Sequence, residues 1–321
     1  MELPMFNQLN RWKVRLAAFF IALLAVASLP WLSAPSLADS HSTEIDFVSP
    51  QWLSDHSADP DLRILDVRNN PLDYISGHIP EAVHLADTAF RGPNGRLPVQ
   101  YWEQQRLESM FSESGISANS HVVVYSDGGN LLGATMVAYL LERAGHDQVS
   151  VLDGGYRGYR EAGLPTTREF PQYEPGNFTL QDDESIRVTL DQVREYLSSD
   201  ADVVFIDPRP ASLFAGEDDV FIRNGHIPGA NNIPWPTFTI GEDNFHQLKA
   251  LDDIEALMAS RDITPDDDII VTCSTGREAT LQYVVLKHLL GYPKVRVYEG
   301  SWTEYSAQPD LPVATGRDPR A

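Results

Sequence analysis

The sequence predicts an α/β protein of two tandem domains, each a parallel sheet with helices on both faces. Three observations predict it. The chain has 321 residues, more than one hydrophobic core ordinarily serves. Its second half restates motifs of its first half at nearly constant spacing. Within each half, short β-branched runs alternate with helical patterns, as when crossover helices join parallel strands.

The repeats come in one order. Gly77-His-Ile-Pro-Glu-Ala82 returns as Gly225-His-Ile-Pro-Gly-Ala230, 148 positions later. Val122-Val-Val-Tyr125 returns as Ile269-Ile-Val-Thr272 at 147, and Val149-Ser-Val-Leu-Asp-Gly154 as Val295-Arg-Val-Tyr-Glu-Gly300 at 146. Leu65-Asp-Val-Arg68 returns as Ile206-Asp-Pro-Arg209 at 141, with an insertion near Gly216–Asp219 making up the difference. A period this long means two whole domains rather than a solenoid. The expected domains are 44–167 and 187–317. Between them, 168–186 has two prolines, a glycine, an acidic run and no apolar periodicity, and reads as a linker.

In the second half Asp202–Asp207 reads as a strand and Leu251–Ser260 as a helix. Asp268–Thr272 reads as a strand buried on both faces. Glu278–Leu290 reads as a helix closed by Gly291 and followed by Pro293, and Lys294–Tyr298 as the next strand.

The N-terminus reads as a secretory signal. Arg11, Lys13 and Arg15 precede the apolar run Leu16–Leu29, and Ser36-Leu37-Ala38 offers small residues for cleavage after Ala38. The run of 14 residues is shorter than the roughly 20 that a bilayer span needs. The protein is therefore expected to be exported, periplasmic or otherwise extracytoplasmic, without stable membrane association after cleavage. Removing 1–38 leaves 21 basic and 45 acidic residues, a formal charge of −24. Such a surface repels nucleic acid and anionic lipid, which excludes both as partners.

The chain has one cysteine, Cys273, so no internal disulfide can form. Cys273 is the first residue past the buried strand, where ligands gather in parallel α/β sheets. Ser274-Thr275-Gly276 can turn tightly, and a helix begins at Arg277 or Glu278. Strand, loop and helix start aim backbone N–H groups and the positive end of a helix at the sulfur. This setting predicts a lowered thiol pKa and a nucleophile that stays anionic. No histidine is suitably placed to make a Cys–His acyl-transfer pair. His226 belongs to a motif whose first copy, His78, has no cysteine in its own half, and His288 lies far along the helix. A phosphatase loop would need arginine six positions after the cysteine, where this chain has Ala279.

Taken together, GHIPxA, a strand ending in cysteine, the loop C-x-x-G-x-x-A and a closing [D/E]-G-[G/S]-[YW] motif resemble the rhodanese sulfurtransferase family in its tandem form. The resemblance runs from about Glu44 to Ala314. It implies a silent first domain, with Ser126 or Asp127 at the cysteine position, and an active second one. It implies that Cys273 takes the outer sulfur of a small anionic donor such as thiosulfate and passes it, as a persulfide, to cyanide or a thiol. No cofactor or metal is implied, and a monomer is expected. Ser274, Thr275 and Gly276 would form the cradle, and Arg277 and Arg209 would hold the donor. Glu278 would pair with an arginine. His78, His226, Gly154 and Gly300 would be structural, and Trp302 would wall the pocket or lie in the core. Thiosulfate-preferring members carry loops like CRKGVTA and mercaptopyruvate-preferring members loops like CGSGVTA. CSTGREA leans toward the second by its hydroxyls and departs from it by Arg277. A 3-mercaptopyruvate sulfurtransferase and a persulfide carrier fed by a partner protein are therefore the alternatives, with an inert buried thiol as a third.

Overall fold

In the computed structural model residues 44–199, 201–241 and 244–317 are described; the expected signal segment 1–38 lies outside them. The first half forms a five-stranded sheet in the order Glu44–Val48, Gln148–Leu152, His121–Tyr125, Leu62–Asp66, Ala82–His84. The second half repeats that order as Arg187–Val188, Val295–Tyr298, Asp268–Val271, Val203–Asp207, Asn231–Asn232. Every pairing in both sheets is parallel. The central strand Asp268–Val271 has Ile269, Ile270 and Val271 fully buried, which is why it reads as an unbroken apolar run rather than an alternating one.

Each sheet has an apolar cluster of its own on one face. The clusters on the other faces merge into one core that runs through both halves, from Ile45 and Val137 to Val271 and Ala279. The two helices that follow the duplicated central strands, Leu132–Arg143 and Arg277–Val284, meet in this shared core. Thr135 Oγ1 lies 3.3 Å from Thr280 Oγ1, and the Tyr139 and Tyr283 rings meet edge to face. Every residue of Leu132–Arg143 is buried, so the helix shows no polar face.

The long helix expected over Glu278–Leu290 runs as Arg277–Val284 and then widens into a π-type turn, Val285–Leu289, before Gly291 turns left-handed at φ +72°. Tertiary contacts account for the widening. Glu142 of the first half, buried, receives Tyr283 Oη at 2.9 Å, Lys287 Nζ at 3.0 Å and His288 Nε2 at 3.0 Å. The segment 168–186 holds no helix or strand before the short turn Glu184–Ile186. It is strapped to the first half all the same: Gly176 N–H donates to Ser112 O, Gln181 N–H to Ala144 O, and Phe178 enters the core.

Both GHIPxA histidines are buried and pinned to backbone. His78 Nδ1 lies 2.9 Å from Tyr74 O, and His226 Nδ1 lies 2.8 Å from Phe214 O. Each also pairs its backbone with the end of its own half, at Thr167 and Ala314. They are structural in both copies.

Two antiparallel hairpins stand outside the sheets, Arg91–Asn94 with Leu97–Tyr101 and Thr239–Gly241 with Asn244–Leu248. Each reaches across to the other half. Tyr101 lies against Gly276 of the second half, and His246 O accepts a hydrogen bond from Gly154 N–H of the first.

Candidate active site

Cys273 follows the central strand of the second sheet, and its side chain is fully buried. The loop wraps the sulfur. Gly276 N–H points at Sγ from 3.1 Å, and the backbone N–H groups of Thr275 and Ala279 also bear on it. Gly276 has φ +88°, and a Cβ there would stand 3.0 Å from Tyr101 Oη and 3.1 Å from Glu299 O. Both the turn and the close approach therefore require glycine.

The loop is buttressed from the closing motif. Cys273 N–H donates to Ser301 Oγ at 3.2 Å, and Cys273 O accepts from Trp302 N–H at 2.9 Å. Ser274 O accepts from both the amide and the hydroxyl of Thr303. Ser301 is left-handed at φ +51°, uncommon for a residue with a side chain. Its Oγ lies 3.9 Å from Sγ and donates to Tyr298 O.

The electrostatics differ from the expectation. Burial pushes the Cys273 thiol up from its ordinary value, and the negative charge of the neighbouring Glu278 carboxylate pushes it further; the loop N–H groups pull the other way. Loss of solvation around an enclosed sulfur outweighs the loop dipoles, so the resting group is a neutral thiol. Glu278 Oε2 is buried and has no hydrogen-bond partner among the described residues.

Several expected residues meet here and others do not. Thr275 and Gly276 form the cradle with the backbone of Ser274. Arg277 is beside the loop, but its guanidinium is committed to Asp87 of the first half, with Nε at 2.8 Å and Nη2 at 2.7 Å from Oδ2. Glu278, expected to pair with an arginine, faces the sulfur instead. Arg209 is tied to its own strand end. Its side chain has no exposed surface, and Nη2 bonds Asp207 Oδ2 at 2.6 Å and Gly225 O at 2.9 Å. Arg68 makes the same bonds in the half without a cysteine, to Asp66 Oδ2 at 2.6 Å and Gly77 O at 2.9 Å. An arrangement repeated where there is no nucleophile braces the strand end; Arg209 Nη1 is also buried and has no hydrogen-bond partner among the described residues. Trp302 also lies in the core, stacked on Tyr305.

Sequence reasoning missed Asp87, Arg91, Tyr101 and Ser301. The first three come from the other half, beyond the reach of any local pattern. A local signal existed for the hairpin, in Asn94-Gly95. Arg91 Nη1 donates to Thr275 Oγ1 at 3.1 Å. Tyr101 is buried, its hydroxyl has no hydrogen-bond partner among the described residues, and burial holds it neutral well above the ordinary tyrosine range.

Comparison with known proteins agrees with this geometry. The rhodanese-like domain model matches twice, over residues 49–162 and 189–308. A protein of Synechococcus elongatus, itself a candidate thiosulfate sulfurtransferase, is 53% identical over 314 residues, covering 96% of this chain and 97% of that one. The sulfur carrier protein TtuD of Thermus thermophilus is 33% identical over 84% of this chain and 97% of its own. Among solved structures, the Escherichia coli 3-mercaptopyruvate sulfurtransferase SseA superposes with a TM-score of 0.72 at 30% identity, covering 81% of this chain and 99% of that one. With both halves matched and a loop that encloses one cysteine in only the second, the chain belongs to the rhodanese-like family, in its two-domain form.

Proposed function

We propose that this chain moves sulfane sulfur from a small anionic donor, thiosulfate foremost, to cyanide or a thiol through a persulfide on Cys273. The coarse statement, that the chain is a sulfurtransferase, rests on the family and its relatives. The finer reading rests on one observation: a single enclosed sulfur receives the Gly276 N–H at 3.1 Å with a carboxylate beside it.

The chemistry balances without a cofactor. The Cys273 thiol gives its proton to the Glu278 carboxylate. The sulfur attacks the outer sulfur of thiosulfate, one S–S bond forms as the donor's S–S bond breaks, and sulfite leaves with the electron pair. The enzyme then holds a persulfide anion and a neutral Glu278. The loop N–H groups stabilise the terminal sulfur as an oxyanion hole stabilises oxygen. Cyanide or a thiolate next attacks that terminal sulfur, and Cys273 leaves as a thiolate and regains the proton from Glu278. Sulfite is a good leaving group, so no general acid is required.

Mercaptopyruvate is the second donor, favoured by the hydroxyl-bearing Ser274 and Thr275. A partner-fed carrier is a further reading, favoured by the likeness to a sulfur carrier protein. The sulfur's complete burial argues against it, since another protein's cysteine would have to reach an enclosed atom. Export with cleavage after Ala38, and function as a monomer, belong to the proposal on sequence pattern alone.

Intact-mass spectrometry after excess thiosulfate tests it. Native protein gains one sulfur, Cys273→Ser gains none, and cyanide removes the sulfur as thiocyanate. An adduct with mercaptopyruvate alone moves the donor to the second choice. No adduct with either, from folded protein, sinks the enzymatic reading.

A further inference from the structure

We infer that the silent half supplies the donor-recognition groups of the active site, as an anion-binding pair formed by Arg91 and Tyr101 on the crossing hairpin. The inference rests on the sulfur-transfer reading and adds to it which residues hold the donor and what they select: a small molecule with a sulfonate or carboxylate beside the transferable sulfur.

Arg91 and Tyr101 are cross-strand partners in the hairpin. Both face the Cys273 loop, Arg91 through Thr275 Oγ1 and Tyr101 through the position over Gly276. Arg91 is half-buried and makes no ion pair among the described residues. Arg277, the cation expected for this work, is neutralised by Asp87. A buried hydroxyl without a partner is destabilising unless something fills the place. The Tyr101 hydroxyl is such a group, and a bound oxyanion would satisfy it. A guanidinium fork and one hydroxyl donor are the chemistry that grips a planar carboxylate or a face of a sulfonate.

The molecule carries its own control. The other hairpin crosses in the opposite direction, over the silent loop. There the cross-strand pair at the equivalent position is Thr239 with Leu248, and Leu248 stands 147 residues after Tyr101. At this one cross-strand position the first hairpin has a guanidinium and a phenol, and the second has a small hydroxyl and an aliphatic side chain. The first hairpin covers the half that has the nucleophile.

The test is the rate of Cys273 alkylation by iodoacetate, an anion, relative to iodoacetamide, its neutral counterpart, in the full chain. Arg91→Ala should lower that ratio by about tenfold or more, the loss expected for one charge-assisted contact. Arg91→Lys should recover part of it, and Tyr101→Phe should lower it less. The KM for thiosulfate should rise in step. A ratio that stays constant while both reagents change together would leave the hairpin a structural roof and overturn the inference, as would native protein that reacts with neither reagent. Because the ratio needs no turnover, native protein that forms no persulfide would sink the sulfur-transfer reading while the ratio still decides the anion site.

Discussion

The loop after Tyr125 and the loop after Thr272 occupy the same place in two copies of one fold, and only one holds a nucleophile. The frames match closely. Ser126 O accepts from Tyr156 N–H at 2.9 Å, as Cys273 O does from Trp302 N–H. Gly128 and Gly276 both turn at φ +88°. The Asp–Arg brace is repeated bond for bond. What differs is how the leading side chain is used. The Ser126 hydroxyl donates to Asn130 O at 2.5 Å and is spent inside its own loop. The Cys273 sulfur instead receives backbone donors and faces Glu278. The fold builds a cradle in both halves; chemistry follows only where the first side chain is left for the cradle to act on.

That comparison can be broken in several places. The largest effect should come from Cys273→Ser, which makes the second loop resemble the first: single-turnover sulfur loading should fall by about 10³ or more, read by mass spectrometry. Residual loading at native rate would place the carrier elsewhere. Next are the twin braces. Arg209→Ala and Arg68→Ala each strand a buried carboxylate and should each cost about 3–5 kcal/mol in denaturant unfolding. A rise in donor KM specific to Arg209→Ala, without comparable destabilisation, would restore its expected role as a donor anchor.

Glu278→Gln sharpens the electrostatic difference. Glu278 raises the thiol, so removing its charge should move the pH dependence of Cys273 alkylation by iodoacetamide downward. In native protein, alkylation should climb as pH rises through neutrality, because burial and Glu278 hold the resting thiol protonated and iodoacetamide takes the thiolate. A pH dependence that Gln leaves in place would mean that Glu278 does not feel the sulfur. The smallest effect belongs to the closing motif. Gly155, at φ +54°, corresponds to Ser301 at φ +51°. An added Cβ at Gly155 would stand 2.9 Å from Ser126 O, so Gly155→Ala should cost about 1–2 kcal/mol of stability and leave loading unchanged.

Much of the fold was legible because it rests on local pattern written twice. The buried strand Asp268–Val271 is an apolar run, Gly291 closes its helix, and the motifs recur at fixed offsets. Cys273 was legible because its position past a strand end carries physical meaning. The rest of the site was not. Asp87, Arg91 and Tyr101 enter through contacts about 175 to 190 residues long in sequence, visible only once the halves are packed. The direction of the thiol's shift was misread for a related reason: backbone N–H groups can be inferred from a loop, whereas complete enclosure of the sulfur depends on the whole tertiary structure. For Arg209, the bracing role could have been read from its duplicate, Arg68, had duplication been given the weight it had for His78 and His226.

The exchange of hairpins has a consequence for what can be cut from this chain. Each half carries the lid of its neighbour, in the reciprocal manner of a two-fold dimer written into one polypeptide. With a core continuous across the junction, melting should be one cooperative event rather than two. A fragment starting at Arg187 would keep the cysteine and its loop. It would lose the surface that shelters them, and the silent half is retained as the other wall of the same room.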